Sequence, residues 1–406
     1  MRKRIGLFIF LFVISCMLIY ACNRLLSWYN IWSDSPGSDK DSGAIFSPTP
    51  RASAPTNTPG QTPDSSENPA LPADRSRGLL SKMSIDEKVG QMFIVRCPKQ
   101  DAAQKAAQYH IGGYILFSGD FRDSSVDQIR STINSYQNAV KIPLLIGVDE
   151  EGGNVNRISI HKQFRAEPFM SPQDLYKKGG FDLIISDTIE KAVFLKALGI
   201  NLNLAPVCDV STADTDYIYP RSFGKDAPLT SQYVEKVVAT MNMQRIGSVL
   251  KHFPGYGNNS DTHTGIAYDD RDYDTFLKSD FLPFISGINA GAGAVLVSHN
   301  IVRSMDESYP ASLSPRVNRI LREDLGFDGA IMTDDLYMDA IRNYTGDSEA
   351  AVLAVLAGND LICCTNFEEQ IPAVINAVEE GVISEEQIDQ SVLRILRWKL
   401  ELGIVN

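Results

Sequence analysis

From residue 78 to the end of the chain, short unbroken apolar runs alternate with longer stretches in which apolar positions recur every three to four residues. A short continuous run is the pattern of a strand buried on both faces, and the longer period is that of an amphipathic helix. Their alternation predicts repeated βα units around a parallel sheet. Eight strands are expected, at 91–95, 113–117, 143–148, 201–206, 248–250, 294–298, 329–332 and 360–363. Helices are expected between them, including 126–140, 182–197, 231–245 and 316–325. Five of the strands run directly into charged or imidazole side chains: Asp149-Glu150-Glu151, Cys208-Asp209, Lys251-His252, His299-Asn300 and Asp334-Asp335. In a doubly wound open sheet such residues would spread along a crevice. In a closed barrel they converge on one axis, at the carboxyl ends where such barrels carry their chemistry, so the fold class expected is α/β, a (β/α)8 TIM-like barrel.

The pattern before residue 78 is different. Met1–Arg4 is basic and 5–21 is almost wholly apolar, which predicts an export signal or membrane anchor over 1–26. Cys16 and Cys22 each follow a small residue, so each is a candidate for lipidation; an uncleaved anchor helix is the alternative, at the short limit for spanning a bilayer. The segment 33–75 holds 8 of the chain's 20 prolines among Ser, Thr, Asp and Gly. Too few apolar groups are available there to offset ordering entropy, so it is expected to be a disordered linker carrying the barrel domain at 78–406. The expected location is the cell envelope, at the outer face of the cytoplasmic membrane.

Composition narrows the function by exclusion. A formal net charge of −12 lacks the basic face that phosphate neutralisation requires, so no nucleic-acid partner is expected. Beyond the leader only Cys97, Cys208, Cys363 and Cys364 remain, without CxxC spacing. They predict buried free thiols rather than a zinc site or a disulfide scaffold, and no metal or organic cofactor is expected.

The densest chemistry follows the fifth strand, in Lys251-His252-Phe253-Pro254-Gly255-Tyr256-Gly257 and onward to Asp261 and His263. Proline and glycine at these positions require a shaped, candidate mobile loop rather than a helix. Asp261 and His263 are two residues apart, so in extended chain a carboxylate can orient the imidazole and raise its pKa, as a general acid/base needs. The alternative is a solvated loop histidine. Asp334 and Asp335 both follow the seventh strand; successive side chains diverge, so Asp334 is taken as the axial carboxylate, opening a helix, and Asp335 as a helix cap or an orienting group. Asp149, Lys251 and Arg157 add alternating acceptors and donors suited to a polyhydroxylated ligand, unless 149–151 is simply a solvated loop.

These segments resemble the N-acetyl-β-glucosaminidase branch of family 3 glycoside hydrolases. KHFPGYG with its downstream DTH is similar to that branch's KHFPGHG…DSH signature. VDEEGGNVNRI, INLNLAPVCDV, RSFGKDA, YPASLS, LREDLGFDGAIMTDDLYM and AGNDLI extend the likeness over 79–406. By resemblance Asp334 is the catalytic nucleophile, Asp261 and His263 the acid/base dyad, and Asp149, Arg157, Arg221, Lys251 and His252 the sugar-binding residues. Asn154, Tyr256 and Gly265 depart from the family pattern, where Arg, His and Pro are usual. The resemblance implies a retaining exo-β-N-acetylglucosaminidase that acts on terminal N-acetylglucosamine of peptidoglycan-derived glycans. Its partners would be a carbohydrate substrate and, through the N-terminus, a membrane, with a monomer favoured. The alternatives are a glycoside phosphorylase on the same scaffold and a non-catalytic wall-binding surface lipoprotein.

Overall fold

The computed structural model describes residues 72–259, 265–345 and 350–405. The expected anchor over 1–26 with Cys16 and Cys22, and nearly all of the linker over 33–75, lie outside the described residues. Among the described residues no helix is long and apolar enough to cross a membrane.

Each of the eight expected strands forms near its expected place. They are β1 (Phe93–Arg96), β2 (Gly113–Leu116), β3 (Leu145–Val148), β4 (Leu202–Asn203), β5 (Gly247–Phe253), β7 (Ala294–Val297), β9 (Ala330–Thr333) and β10 (Ile362–Cys364). They pair in parallel in the order β10-β1-β2-β3-β4-β5-β7-β9. A bridge between Met332 and Leu361 joins the two ends, so the sheet is a nearly closed eight-stranded barrel. Two short strands, β6 (Tyr268–Asp269) and β8 (Ile301–Val302), pair with each other as a separate ribbon.

The barrel strands are buried along almost their whole length. Gly147 has a packing reason: a Cβ there would meet Leu204 and Leu202 at 3.0 and 3.1 Å. The helices around the barrel start where the sequence supplies caps. Ser84, Ser125, Ser171, Asp226, Ser314 and Ser384 each accept a backbone N–H from the first turn. Helical structure over Pro172–Ala197 is broken at Gly179 and at Gly180, whose φ is 62°, so the expected helix over 182–197 forms its own segment.

Two strands differ from expectation for identifiable reasons. The fourth is shorter than 201–206: just past Asn203 the Ala205 N–H turns back to Asn203 O at 2.8 Å instead of pairing across the sheet, and Pro206 has no N–H to resume the ladder. The fifth is longer than 248–250 and takes in Lys251, His252 and Phe253, with a register shift against β7 between Leu250 and Phe253. Regular alternation would send Lys251 and His252 to opposite faces; an irregularity of this kind re-aims side chains, and both reach the same cavity.

Candidate active site

The carboxyl ends of the strands surround a cavity of about 400 Å³. Its wall carries Asp149, Arg157, Arg221, Lys251, His252, Asp334 and Asp335, and its apolar lining includes Ile115, Phe117, Leu204, Leu296 and Met338. Six residues expected at the site from sequence, namely Asp149, Arg157, Arg221, Lys251, His252 and Asp334, are therefore brought together. Asp261 and His263 lie outside the described residues.

The charged groups form an alternating chain. The buried Lys251 ammonium lies 2.7 Å from Asp149 Oδ1 and 2.6 Å from Glu151 Oε1. Arg221 grips the same Glu151 through two bonds, of 3.1 and 2.7 Å. Burial alone would raise the Glu151 carboxyl, but Lys251 and Arg221 together outweigh it and hold the group well below the usual carboxylate range. Arg221 Nη2 is also 3.2 Å from His252 Nε2, while His252 Nδ1 is 2.8 Å from Asp209 Oδ2. An ionised carboxylate only accepts, which assigns the hydrogen to Nδ1 and leaves Nε2 to accept from Arg221. Asp209 further accepts the backbone N–H groups of His252 and Tyr256, so one buried carboxylate sets the end of β5.

Glu150 has a different task from its neighbours. It is fully buried and accepts from the backbone of Arg157, Ile158 and Ser159 and from the Ser159 hydroxyl. The segment 149–151 is thus internal structure rather than a solvated loop, and Glu150 shapes the turn that delivers Arg157. Arg157 Nη2 comes within 3.9 Å of Asp149.

Asp334 leaves β9 with its backbone N–H on Val297 O at 3.0 Å, and its Oδ1 accepts the Asp335 N–H at 2.8 Å. The helix expected to open at Asp334 begins only at Asp339. Asp335 does not cap it: its carboxylate takes the Tyr337 and Thr365 N–H groups and the Thr365 hydroxyl, tying the β9 turn to the end of β10.

The loop after β5 is held at its base by Arg271. This guanidinium is doubly bonded to Asp269, lies 2.8 Å from Asp280 and donates to Gly255 O at 3.0 Å, with Phe276 stacked beneath it at 4.3 Å. Glycine is required here twice. Gly255 has φ 124° and a Cβ on it would lie 2.4 Å from Asp280 Oδ1; Gly257 has φ 55° and its Cβ would lie 2.4 Å from the Arg271 guanidinium carbon. Of the departures from the family pattern, Tyr256 is buried edge-on to the His252 ring and Asn154 is exposed on a tight turn.

Sequence reasoning did not single out Arg96, Tyr217, Met338 or Arg271. Arg96 was within reach, because it ends β1 as Asp149 follows β3. Cys97, Cys208, Cys363 and Cys364 are free and buried, as expected.

A nearly closed parallel barrel whose strand ends gather carboxylates and cations around one cavity is an enzyme architecture that glycoside hydrolases share with many other barrels. The chain is a member of glycosyl hydrolase family 3, whose N-terminal domain matches residues 84–398. It is 31% identical over 334 residues to β-hexosaminidase A of Pseudoalteromonas piscicida, covering 74% of this chain and 55% of that protein. It is 30% identical over 347 residues to β-hexosaminidase LpqI of Mycobacterium tuberculosis, covering 81% and 87%. A family 3 β-N-acetylglucosaminidase from Paenibacillus superposes with a TM-score of 0.74 at 30% identity, over 79% of this chain and 63% of that one.

Proposed function

We propose that this protein is a retaining exo-β-N-acetylglucosaminidase that removes terminal non-reducing N-acetylglucosamine from peptidoglycan-derived glycans. The observation that carries the reading is the Asp334 carboxylate sharing one cavity with Asp149, Arg157, Arg221, Lys251 and His252. Support for the sugar comes from relatives named β-hexosaminidase and β-N-acetylglucosaminidase.

In this mechanism Asp334 donates an electron pair to the anomeric carbon as the bond to the leaving oxygen breaks, and His263, oriented by Asp261, protonates that oxygen. Water then attacks the glycosyl-enzyme with His263 as base, releasing Asp334 with overall retention. Most glycosidases use a second carboxylate for proton transfer; the assignment of the imidazole rests on the sequence motif. Asp149 accepts from sugar hydroxyls while Lys251, Arg157 and Arg221 donate, an alternation that fixes a ring with vicinal hydroxyls.

Asp334→Ala is expected to abolish nitrophenol release from the aryl N-acetyl-β-glucosaminide. Turnover persisting within about tenfold of wild type, against the far larger loss expected for a nucleophile, removes Asp334 from its role. A fluorosugar that traps the intermediate should label Asp334. We further propose an envelope location from the leader over 1–26, which fractionation of cells making the full chain tests.

A further inference from the structure

We propose that His299 is a positioning residue for the nucleophile: it fixes the turn that aims Asp334 at the anomeric carbon, without itself touching the sugar. The proposal rests on the reading of Asp334 above and adds the device that orients it.

His299 follows β7 and is one of the strand-end imidazoles that the sequence singles out, yet it is fully buried and is not part of the cavity wall. Its Nε2 lies 3.0 Å from Asp335 O, and its Nδ1 lies 2.8 Å from Ser312 Oγ. A carbonyl oxygen only accepts, so the ring hydrogen is assigned to Nε2 and donated to Asp335. In the neutral ring Nδ1 is then the acceptor, and the Ser312 hydroxyl donates to it.

The serine is itself fixed. Ser312 N–H donates to Ser298 O at 3.0 Å and Ala311 N–H to Asn300 O at 2.9 Å, so the residues on either side of His299 hold the turn Ala311–Leu313 against the strand end. Ser298 N–H in turn donates to Phe253 O, the last residue of β5, at 2.9 Å.

The contact matters through Asp335, whose N–H donates to Asp334 Oδ1 at 2.8 Å, so the orientation of the nucleophilic carboxylate follows that of residue 335. The β9 ladder ends at Thr333, and beyond it the chain is clamped on both sides of the nucleophile. Before it, the Asp334 N–H donates to Val297 O; after it, Asp335 O accepts from His299. The Asp335 carboxylate and the Leu336 N–H reach the other way, to Thr365 and Cys363 O. A misplacement of about 1 Å at a reacting group costs about a hundredfold in rate, so loss of the clamp should fall on the chemical step and spare the groups that grip the sugar.

The test uses the full chain and three variants. His299→Leu removes both ring contacts, His299→Gln offers an amide N–H in place of the Nε2 donor, and Ser312→Ala removes the hydroxyl alone. With the aryl N-acetyl-β-glucosaminide, His299→Leu is expected to lower kcat by about tenfold to a hundredfold with KM within about twofold of wild type, and His299→Gln to recover most of the loss. The maximal rate at which the fluorosugar traps Asp334 should fall by the same factor as kcat, with the half-saturating concentration unchanged. Ser312→Ala, which loses one neutral hydrogen bond, should lower kcat by about threefold to tenfold, and it carries the test if His299→Leu does not fold. An unchanged kcat in His299→Leu or, failing that, in Ser312→Ala, or a KM that rises in step as kcat falls, overturns the proposal alone. A wild-type protein that neither hydrolyses the glycoside nor is labelled at Asp334 overturns the reading of the nucleophile and this role with it.

Discussion

Replacing Arg271 by Ala should show how firmly the loop after β5 is seated. The substitution removes both bonds to Asp269, the pair with Asp280, the bond to Gly255 O and the stack on Phe276, and it strands two carboxylates that are 1% and 2% exposed. Breaking a buried pair from one side costs about 3 to 5 kcal/mol, which in a domain of this size lowers Tm by about 4 to 7 °C. The pH dependence has a definite sign. Burial raises the Asp280 carboxyl from 3.8 to about 6 even with Arg271 opposing it. A carboxyl whose folded pKa is raised destabilises the fold above that pKa and is relieved as pH falls toward its unfolded value. Without Arg271 the penalty grows, so the deficit relative to wild type should be largest near pH 8 and shrink toward pH 5. Thermal unfolding followed by circular dichroism across that range provides the measurement, and Arg271→Ala/Asp280→Asn should recover part of the loss. A variant within about 1 kcal/mol of wild type at pH 8, below the cost of any stranded buried charge, refutes the reasoning.

Lys399→Met is expected to stabilise the protein. Lys399 is fully buried and, among the described residues, donates only to Gln91 Oε1 at 2.8 Å, and burial lowers its pKa from 10.5 to about 7. A lysine with a depressed folded pKa costs stability below that value and regains it as pH rises to the unfolded one. The variant should therefore gain a few kcal/mol at pH 6 and lose much of the wild-type rise in Tm between pH 7 and 10; an unchanged pH slope counts against this. Glu150→Gln turns an amide donor toward the N–H groups that the carboxylate accepts. It should cost about 2 to 4 kcal/mol in thermal unfolding and raise KM for the aryl glycoside by misplacing Arg157; wild-type stability and KM together would contradict the cradle.

The barrel was readable because a parallel strand covered on both faces is apolar almost throughout, and β1, β2, β3, β7 and β9 are of this kind. Position at the strand ends then picked out Asp149, Lys251, His252 and Asp334 before any geometry was known. Three things were hidden. Period-two alternation cannot show that Lys251 and His252 face one cavity, because the register shift in β5 comes from its pairing with β7. The neighbours Glu150 and Glu151 look interchangeable, yet one closes a turn and the other holds two cations from distant parts of the chain. Arg271 acts on Gly255 and Asp280 through a fold in which intervening sequence carries no periodic signal.

The chain of neutralised charges from Asp149 through Lys251, Glu151 and Arg221 to His252 and Asp209 has a consequence for ionic strength. Each contact in it spans 3.2 Å or less between largely buried groups, far inside the roughly 10 Å over which 0.1 M salt screens. Grip on an uncharged sugar should therefore barely change from dilute buffer to brine.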